Sequence, residues 1–506
     1  MSKTQDLSAL LSDADLFRSQ GYINGKWVGA TDGATFPLTN PATGAKLADM
    51  PHMPRGQVAE AIDAAKAALP AWSALTAYQR SAYLLKLHGL MEQHVQDLGT
   101  ILCVENGKPL TEAKGEIAYG ASFLQWNAAE GLRTYGQTIP SPFPGTRNMV
   151  IKQPIGVCGL ITPWNFPNAM ITRKMAPALA AGCTVVIKAP AETPLSALAM
   201  AVLCERVGIP AGVVNVVCMD KGDREAAAGL ELCENPKVSK ISFTGSTPVG
   251  RLLMQQSSST LKKLSFELGG NAAFIIFDDA DLETAVNGVI ASKFRAAGQT
   301  CVCANRIFVH SKVYTQFANL LAEKVKAFKV GDGMTEGVTI GPLVNQRGVE
   351  KVERHVKDAV SKGAKILVGG ERFTPSSASN SGSEAKETCF FQPTVIIDVD
   401  PSSYVASEET FGPLAPLFKF ETDEEVIQRA NSTEVGLAAY FFTKDLGRSN
   451  RVAEALEVGM VGVNTGVIAQ ACIPFGGVKQ SGFGREGGPG GINEFQIEKL
   501  ITIGGI

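Results

Sequence analysis

The sequence predicts an α/β protein built from two αβ lobes and a small β element. Three observations carry that expectation. Between Pro154 and Phe266 short β-branched runs alternate with helical segments, the pattern of a parallel sheet covered on both faces. A second αβ series runs from Ala272 to Val463. Between the first helical region and the first lobe, a Gly/Pro-punctuated stretch (Gly136, Pro140, Pro142, Pro144, Gly145) leads into an extended run at Asn148 to Gln153. That stretch reads as a hairpin arm rather than core.

Taken in chain order, Val58, Ile62, Ala65 and Leu69, then Leu84, Leu87, Leu90, Val95, Leu98 and Ile101 recur at helical spacing. They predict two or more amphipathic helices over Gln57 to Leu102, stopped near Gly107-Lys108-Pro109. The first lobe reads as strands at Val157 to Ile161, Val185 to Ile187, Val213 to Val217 and Lys240 to Phe243, with helices at Arg173 to Ala181 and Leu195 to Val207. In the second, a helix at Ala285 to Phe294 accompanies strands at Ala273 to Phe277, Ile307 to Val309, Ile366 to Val368 and Val461 to Val463. Ser376 to Ser383 reads as a polar surface insertion, and Phe495 to Ile503 as an edge strand.

Composition narrows the class. With 506 residues, 45% hydrophobic and 19% charged, the chain can fill about three domains and is not disordered. Lys+Arg 47 against Asp+Glu 49 gives a net charge of -2 with no run of one sign, so neither a nucleic acid nor an anionic membrane is an expected partner. Two uncharged stretches, Gln153 to Thr172 and Val458 to Val478, are broken by Pro163, Pro167, Gly459, Gly462 and Pro474 and do not read as membrane spans. Met1 to Phe17 fits neither a secretory signal nor a transit peptide, so a cytoplasmic protein is expected. Ten scattered cysteines without a CxxC pair suggest neither a disulfide scaffold nor a zinc site, and no metal is expected.

Five features carry chemistry. Phe243-Thr-Gly-Ser246-Thr-Pro-Val-Gly250 follows a strand and opens a helix, so backbone N–H groups face the sheet edge; a tight turn and a phosphate site are both open readings. Lys188 ends a strand, where a ligand's ribose or phosphate is expected, although a solvated lysine fits as well. Cys301, in Gly298-Gln-Thr-Cys301-Val-Cys303, occupies a loop where a thiol can be activated, although a buried structural cysteine is the commoner reading of such a residue. Glu267-Leu-Gly-Gly270 sets a carboxylate beside two glycines, fit for a base. Asn165 supplies an amide donor from a proline-stiffened loop.

The set resembles the aldehyde dehydrogenase superfamily over essentially the whole chain. The motifs are Pro163-Trp-Asn-Phe-Pro167, Phe243-Thr-Gly-Ser246, Glu267-Leu-Gly-Gly270, Gly298-Gln-Thr-Cys301, Glu408-Glu-Thr-Phe-Gly-Pro413 and Pro474-Phe-Gly-Gly477. Ala169-Met-Ile-Thr-Arg173-Lys and the run Lys293 to Arg306 look most like succinate-semialdehyde dehydrogenases. The resemblance implies a Rossmann-like cofactor-binding lobe (1–131 and 154–266), a catalytic lobe (267–476) and a bridging, oligomerising β element (132–153 and 477–506). It implies Cys301 as nucleophile, Glu267 as the base that activates water, and Asn165 with the Cys301 N–H as oxyanion donors. NAD or NADP would be held by Ile161, Thr162, Trp164, Lys188, Ala191, Ser246, Glu409 and Phe411. Within that set Lys188 would meet the adenosine ribose, Ser246 the pyrophosphate and Glu409 the nicotinamide ribose. Arg173 and Arg295 would grip the distal carboxylate of a small-molecule aldehyde, succinate semialdehyde, with a structural ion pair as their alternative. A homodimer or homotetramer is implied, its C-terminal edge strand joining the hairpin arm of a neighbouring subunit.

The chain departs from the pattern at several points. Ala191 stands where NAD-using relatives carry a glutamate that chelates the ribose hydroxyls, with Glu192 one place later, which admits NADP. A serine that commonly assists the two arginines is replaced by Ala469-Gln470. Arg485 to Gly491 is richer in glycine than its usual counterpart. Cys303, two residues from Cys301, suggests a strained and easily reduced disulfide that would block the nucleophile, or simple packing.

Overall fold

A computed structural model describes residues 5–375 and 388–506. The expected insertion at Ser376 to Ser383 lies outside the described residues. Two sheets organise the chain, each backed by its own apolar core. The first has eight strands in the spatial order Lys26–Val28, Gly21–Ile23, Val214–Val217, Thr184–Lys188, Val157–Ile161, Val238–Thr244, Lys263–Glu267, Gly482–Phe483. Its five central strands are parallel. Among these parallel strands the chain starts at Val157–Ile161, builds outward on one side, then crosses back to place Val238–Thr244 on the other side. Adjacent strand ends at such a reversal diverge and leave a crevice outside their carboxyl ends.

The second sheet has seven strands, in the order Lys365–Val368, Thr394–Ile397, Leu414–Phe420, Arg306–His310, Ala273–Ile276, Ala438–Phe442, Met460–Val463. All pairs but the first are parallel. Buried runs such as Ala438–Phe442 have no charged side chain to turn outward, because both faces of this sheet are covered.

The N-terminal helices predicted from periodicity are Arg55–Ala74, Ala77–Gln93 and Val95–Asn106, the last closed by Gly107 in the left-handed region at φ 92°. A further helix, Leu110–Glu130, lies against Ala169–Ala181. Every residue of Ala169–Ala181 is buried, Arg173 and Lys174 included.

Two expectations need correction. Ala285 to Phe294 is not one regular helix: Leu282–Val289 is α-helical, and Ile290–Phe294 widens into a π-helical turn. The C-terminal strand, Gln496–Gly504, expected on the arm of a neighbouring subunit, finds an arm strand in its own chain. It zips antiparallel onto the arm strand Thr146–Pro154 of its own chain over nine residue pairs, and Gln137–Ile139 completes a three-stranded sheet. The segment after 477 also reaches into the first sheet, where Gly482–Phe483 pairs with Phe266 and Glu267. Among the described residues no helix is long and apolar enough to cross a membrane.

Candidate active site

The carboxyl ends of Val157–Ile161, Val238–Thr244 and Lys263–Glu267 face loops that precede strands of the second sheet. Between them lies a cavity of about 360 Å³. Cys301, Glu267 and Asn165 all line it, as do Trp164, Ser246, Glu409, Phe411, Arg173 and Arg295. Ile161, Thr162, Lys188 and Ala191 lie outside this lining, at or just beyond the carboxyl ends of Val157–Ile161 and Thr184–Lys188. Cys303 is buried behind the wall.

The loop that presents Cys301 is held in an unusual backbone shape. Ala296 (φ 52°), Ala297 (φ 53°) and Gly298 (φ 76°) are consecutive left-handed residues, a conformation that costs an alanine about 1 kcal/mol or more. Neighbours impose it: the Glu112 carboxylate accepts from the Ala296 N–H at 2.9 Å, and Gln299 bridges the Ala296 carbonyl and the Val344 N–H. Tyr440 donates to the Val302 carbonyl at 2.8 Å. A Cβ at Gly298 would stand 2.1 Å from the Gly412 carbonyl oxygen, and one at Gly270 would stand 2.6 Å from that of Cys301. Gly298→Ala therefore combines an unfavourable φ with a backbone collision. We expect it to lower stability by roughly 2–4 kcal/mol, read as a fall in melting temperature and in folded yield.

Asn165 comes from the loop after Val157–Ile161. Its amide Nδ2 donates one N–H to the Gln299 carbonyl at 3.0 Å, which leaves the second N–H. The buried Lys108 ammonium, paired with Glu116, donates to the Asn165 carbonyl. Glu116 in turn accepts from the N–H groups of Asn168 and Ala169, at 3.0 and 3.3 Å. This buried pair fixes the loop, and the sequence reading had used Lys108 only as part of a helix stop.

Burial sets the proton affinities. The Cys301 thiol is pushed up to about 12 by desolvation; Arg173 opposes that, and Glu409 and Glu267 add to it. Glu267 is held well above the usual carboxylate range, first by burial and then by the Glu486 charge, against Arg173 and Lys174. Its Oε2 has no hydrogen-bond partner among the described residues. Glu409 rises to about 7 through burial, although its carboxylate accepts from the Gly270 N–H at 3.2 Å. Trp164 and Phe411 meet edge to face at 5.6 Å across the cleft.

The two arginines differ. Arg173 is almost wholly buried, its Nε 3.0 Å from Glu486 and its guanidinium carbon 3.6 Å from the Phe475 ring centroid. The structural ion pair is thus real, yet Nη2 has no hydrogen-bond partner among the described residues, and the side chain still lines the cavity. Arg295 forms no ion pair among the described residues; its guanidinium carbon lies 5.2 Å from the Phe166 ring centroid. Glu486, which balances Arg173 and Lys174, escaped the sequence reading. It stands in the glycine-rich run whose packing no periodicity describes.

The residues fit a dinucleotide. Ser246 sits at the N-terminus of Thr247–Ser257 without capping it by a side-chain bond, so that helix end keeps its donors for an anion. The Thr162, Thr193 and Thr244 hydroxyls are buried without partners among the described residues. Lys188 is paired with Glu225, and Glu192 is drawn to Lys221 at 2.5 Å, so the buried Ala191 leaves the turn after Lys188 without a free carboxylate. Cys303 Sγ lies 3.3 Å from the Gly298 carbonyl oxygen and 3.7 Å from Lys293 Nζ, and all ten cysteines are free. No group of three or more His, Cys, Asp or Glu suited to a metal occurs among the described residues.

Known proteins resemble this chain in sequence and fold. The chain is 54% identical over 494 residues to a succinate-semialdehyde dehydrogenase (NADP(+)) of Escherichia coli, covering 98% of this chain and 99% of that protein. It is 54% identical over 493 residues to a glutarate-semialdehyde dehydrogenase of Pseudomonas putida, covering 97% and 99%. A crystal structure of succinate-semialdehyde dehydrogenase from Burkholderia pseudomallei superposes with a TM-score of 0.93 at 54% identity, covering 98% and 99%. The model of the aldehyde dehydrogenase family matches residues 27–501, and with the cavity described above this chain belongs to that family.

Proposed function

We propose that this protein oxidises succinate semialdehyde to succinate with NAD or NADP as hydride acceptor. The observation that carries the substrate is Arg295, whose guanidinium has no ion-pair partner among the described residues and stands on the wall of the cavity that holds Cys301, with Arg173 on the same wall. Guanidinium groups left unpaired in a closed cavity favour an anionic ligand. The sulfur of Cys301 attacks the aldehyde carbon, a C–S bond forms, and the carbonyl π pair moves to oxygen. The free N–H of Asn165 and the Cys301 backbone N–H receive that oxyanion. A nicotinamide dinucleotide, when bound against Ser246 and Glu409, supplies the acceptor for the hydride that leaves the same carbon. The thioester left on Cys301 is then attacked by water, whose proton Glu267 takes, and the C–S bond breaks. Aldehyde and water thus become carboxylate, with one hydride handed to the dinucleotide and two protons to solvent.

Arg295→Ala tests the reading. We expect the KM for succinate semialdehyde to rise by about tenfold to a hundredfold, as for a lost charge-assisted bond, with butanal turnover little changed. If butanal is the better substrate of the wild-type protein, the reading is wrong. Ala469 lines the cavity without a polar group, which favours glutarate semialdehyde as a second reading; kcat/KM values for the two ω-oxo acids decide between them.

The arrangement around Ala191 supports use of both NAD and NADP. Leu500 and Ile503 are exposed, at 63% and 39%, on the C-terminal strand. An apolar strand surface of that kind supports a homodimer or homotetramer. Ten free thiols support a cytoplasmic setting. In the Cys303 reading, an oxidant such as peroxide would join Cys301 and Cys303 and a thiol would release them; burial raises the proton affinity of the Cys303 thiol, and Lys293, 3.7 Å away, opposes that rise.

A further inference from the structure

We propose that Tyr119 determines specificity: its hydroxyl donates a hydrogen bond to the anionic end of the aldehyde substrate, between Arg173 and Arg295. This rests on the reading above that the substrate carries such an end. Tyr119 belongs to Leu110–Glu130, and its ring is fixed by Phe123, at 4.9 Å and 65°, and by the apolar cluster of Phe166, Met170 and Ala296. The hydroxyl is buried and has no hydrogen-bond partner among the described residues. Buried tyrosine hydroxyls nearly always have one, because an unmet donor in a dry site is costly. This donor opens onto the same cavity as Cys301 and both arginines.

The electrostatics name the missing partner. Burial raises the proton affinity of the Tyr119 hydroxyl, and Arg173 and Arg295 are the two largest influences acting against it. The hydroxyl therefore stays protonated at neutral pH and can only complete its bonding by finding an acceptor. A neutral acceptor would satisfy the donor and leave the guanidinium of Arg295 unmatched. A carboxylate satisfies both, since its two oxygens can accept from the hydroxyl and a guanidinium together.

Position supports the same conclusion. Besides the Cys301 cavity, Tyr119 borders one of about 480 Å³ that continues to Trp126, Gln470 and Cys472, and one of about 330 Å³ lined by Lys108 and Glu112. Only Ala469 shares all three walls with it, and its methyl offers no hydrogen bond. Tyr119 thus supplies the neutral donor at the junction of the three cavities, where the end of a short aldehyde remote from Cys301 would come to rest.

Tyr119→Phe removes one oxygen and keeps the ring. The expected result is a KM for succinate semialdehyde raised about tenfold or more with kcat within about twofold, and an unchanged kcat/KM for butanal. A merely structural role would not split the two aldehydes. Equal losses for both, or no loss for either, would overturn the proposal. A wild-type preference for butanal would instead overturn the anionic-substrate reading, and this inference with it, before the variant is measured.

Discussion

Cys301→Ala should lower kcat/KM for aldehyde oxidation by at least about 10⁴-fold, because among the described residues no other thiol lines the cavity. The loop around position 301 is held from both sides, by Gln299, by Tyr440 against the Val302 carbonyl and by Asn305 against the Ala272 carbonyl. Removing one sulfur should leave it in place. We therefore expect an unchanged melting temperature and unchanged quenching of tryptophan fluorescence by NADP. Cys303→Ala is the matched control. Its thiol faces the Gly298 carbonyl and Lys293, and its loss should leave most of the turnover. Retention of more than a few per cent of activity in Cys301→Ala would remove that residue from the chemistry.

Glu267→Gln should produce the second largest loss, about 10²- to 10⁴-fold in kcat, the usual worth of a positioned base. The substitution conserves volume beside Gly476, whose added Cβ would lie 2.9 Å from a Glu267 oxygen, so a folding defect is not expected. The pH dependence distinguishes this role from others. Burial and the neighbouring Glu486 charge raise the proton affinity of Glu267, so at low pH the carboxyl is protonated and cannot accept a proton from water. The base form grows as pH rises through the raised value, and kcat should rise with it. In the glutamine variant that limb should vanish, leaving a flat, low profile. A variant that keeps the wild-type rise would assign the base to another group.

Much of this arrangement was legible in the sequence, for identifiable reasons. Strands such as Val157–Ile161 and Thr184–Lys188 are short apolar runs bounded by turn residues, and the helix Ala169–Ala181 follows at the expected spacing. Other strands escaped notice. The turn Asn24-Gly25, left-handed at both residues, joins Gly21–Ile23 to Lys26–Val28, and an Asn-Gly pair between apolar residues is a hairpin signal that could have been read. Leu414–Phe420 and Ala438–Phe442 are buried on both faces and show no alternation to detect. Cys301, Glu267, Asn165, Ser246, Glu409 and Phe411, which face the cavity, were recognisable through motifs, whereas Tyr119 and the segment 344–351 were not. Nor were the residues that fix its walls: Lys108, Glu112, Glu116 and Glu486 act across separations from eight to more than three hundred residues. Charge pairing at such distances leaves no local pattern. The interruption of the helix at Ile290–Phe294 was equally invisible, since that run contains no glycine or proline to mark it.

The Glu486 contact also has a meaning in the order of synthesis. Arg173 and Lys174 leave the ribosome some three hundred residues before the carboxylate that balances them. A helix that buries two cations without a counter-charge is costly, by about 3–5 kcal/mol for a broken buried pair. Until residue 486 emerges, the wall carrying Arg173 cannot settle, and the strand Gly482–Phe483 beside Glu267 does not yet exist. The reactive pocket is therefore among the last parts of the molecule to be completed. A nascent or C-terminally clipped chain would carry Cys301 without the Glu486 contact behind this wall of the cavity, so the proposed thioester chemistry would await residue 486.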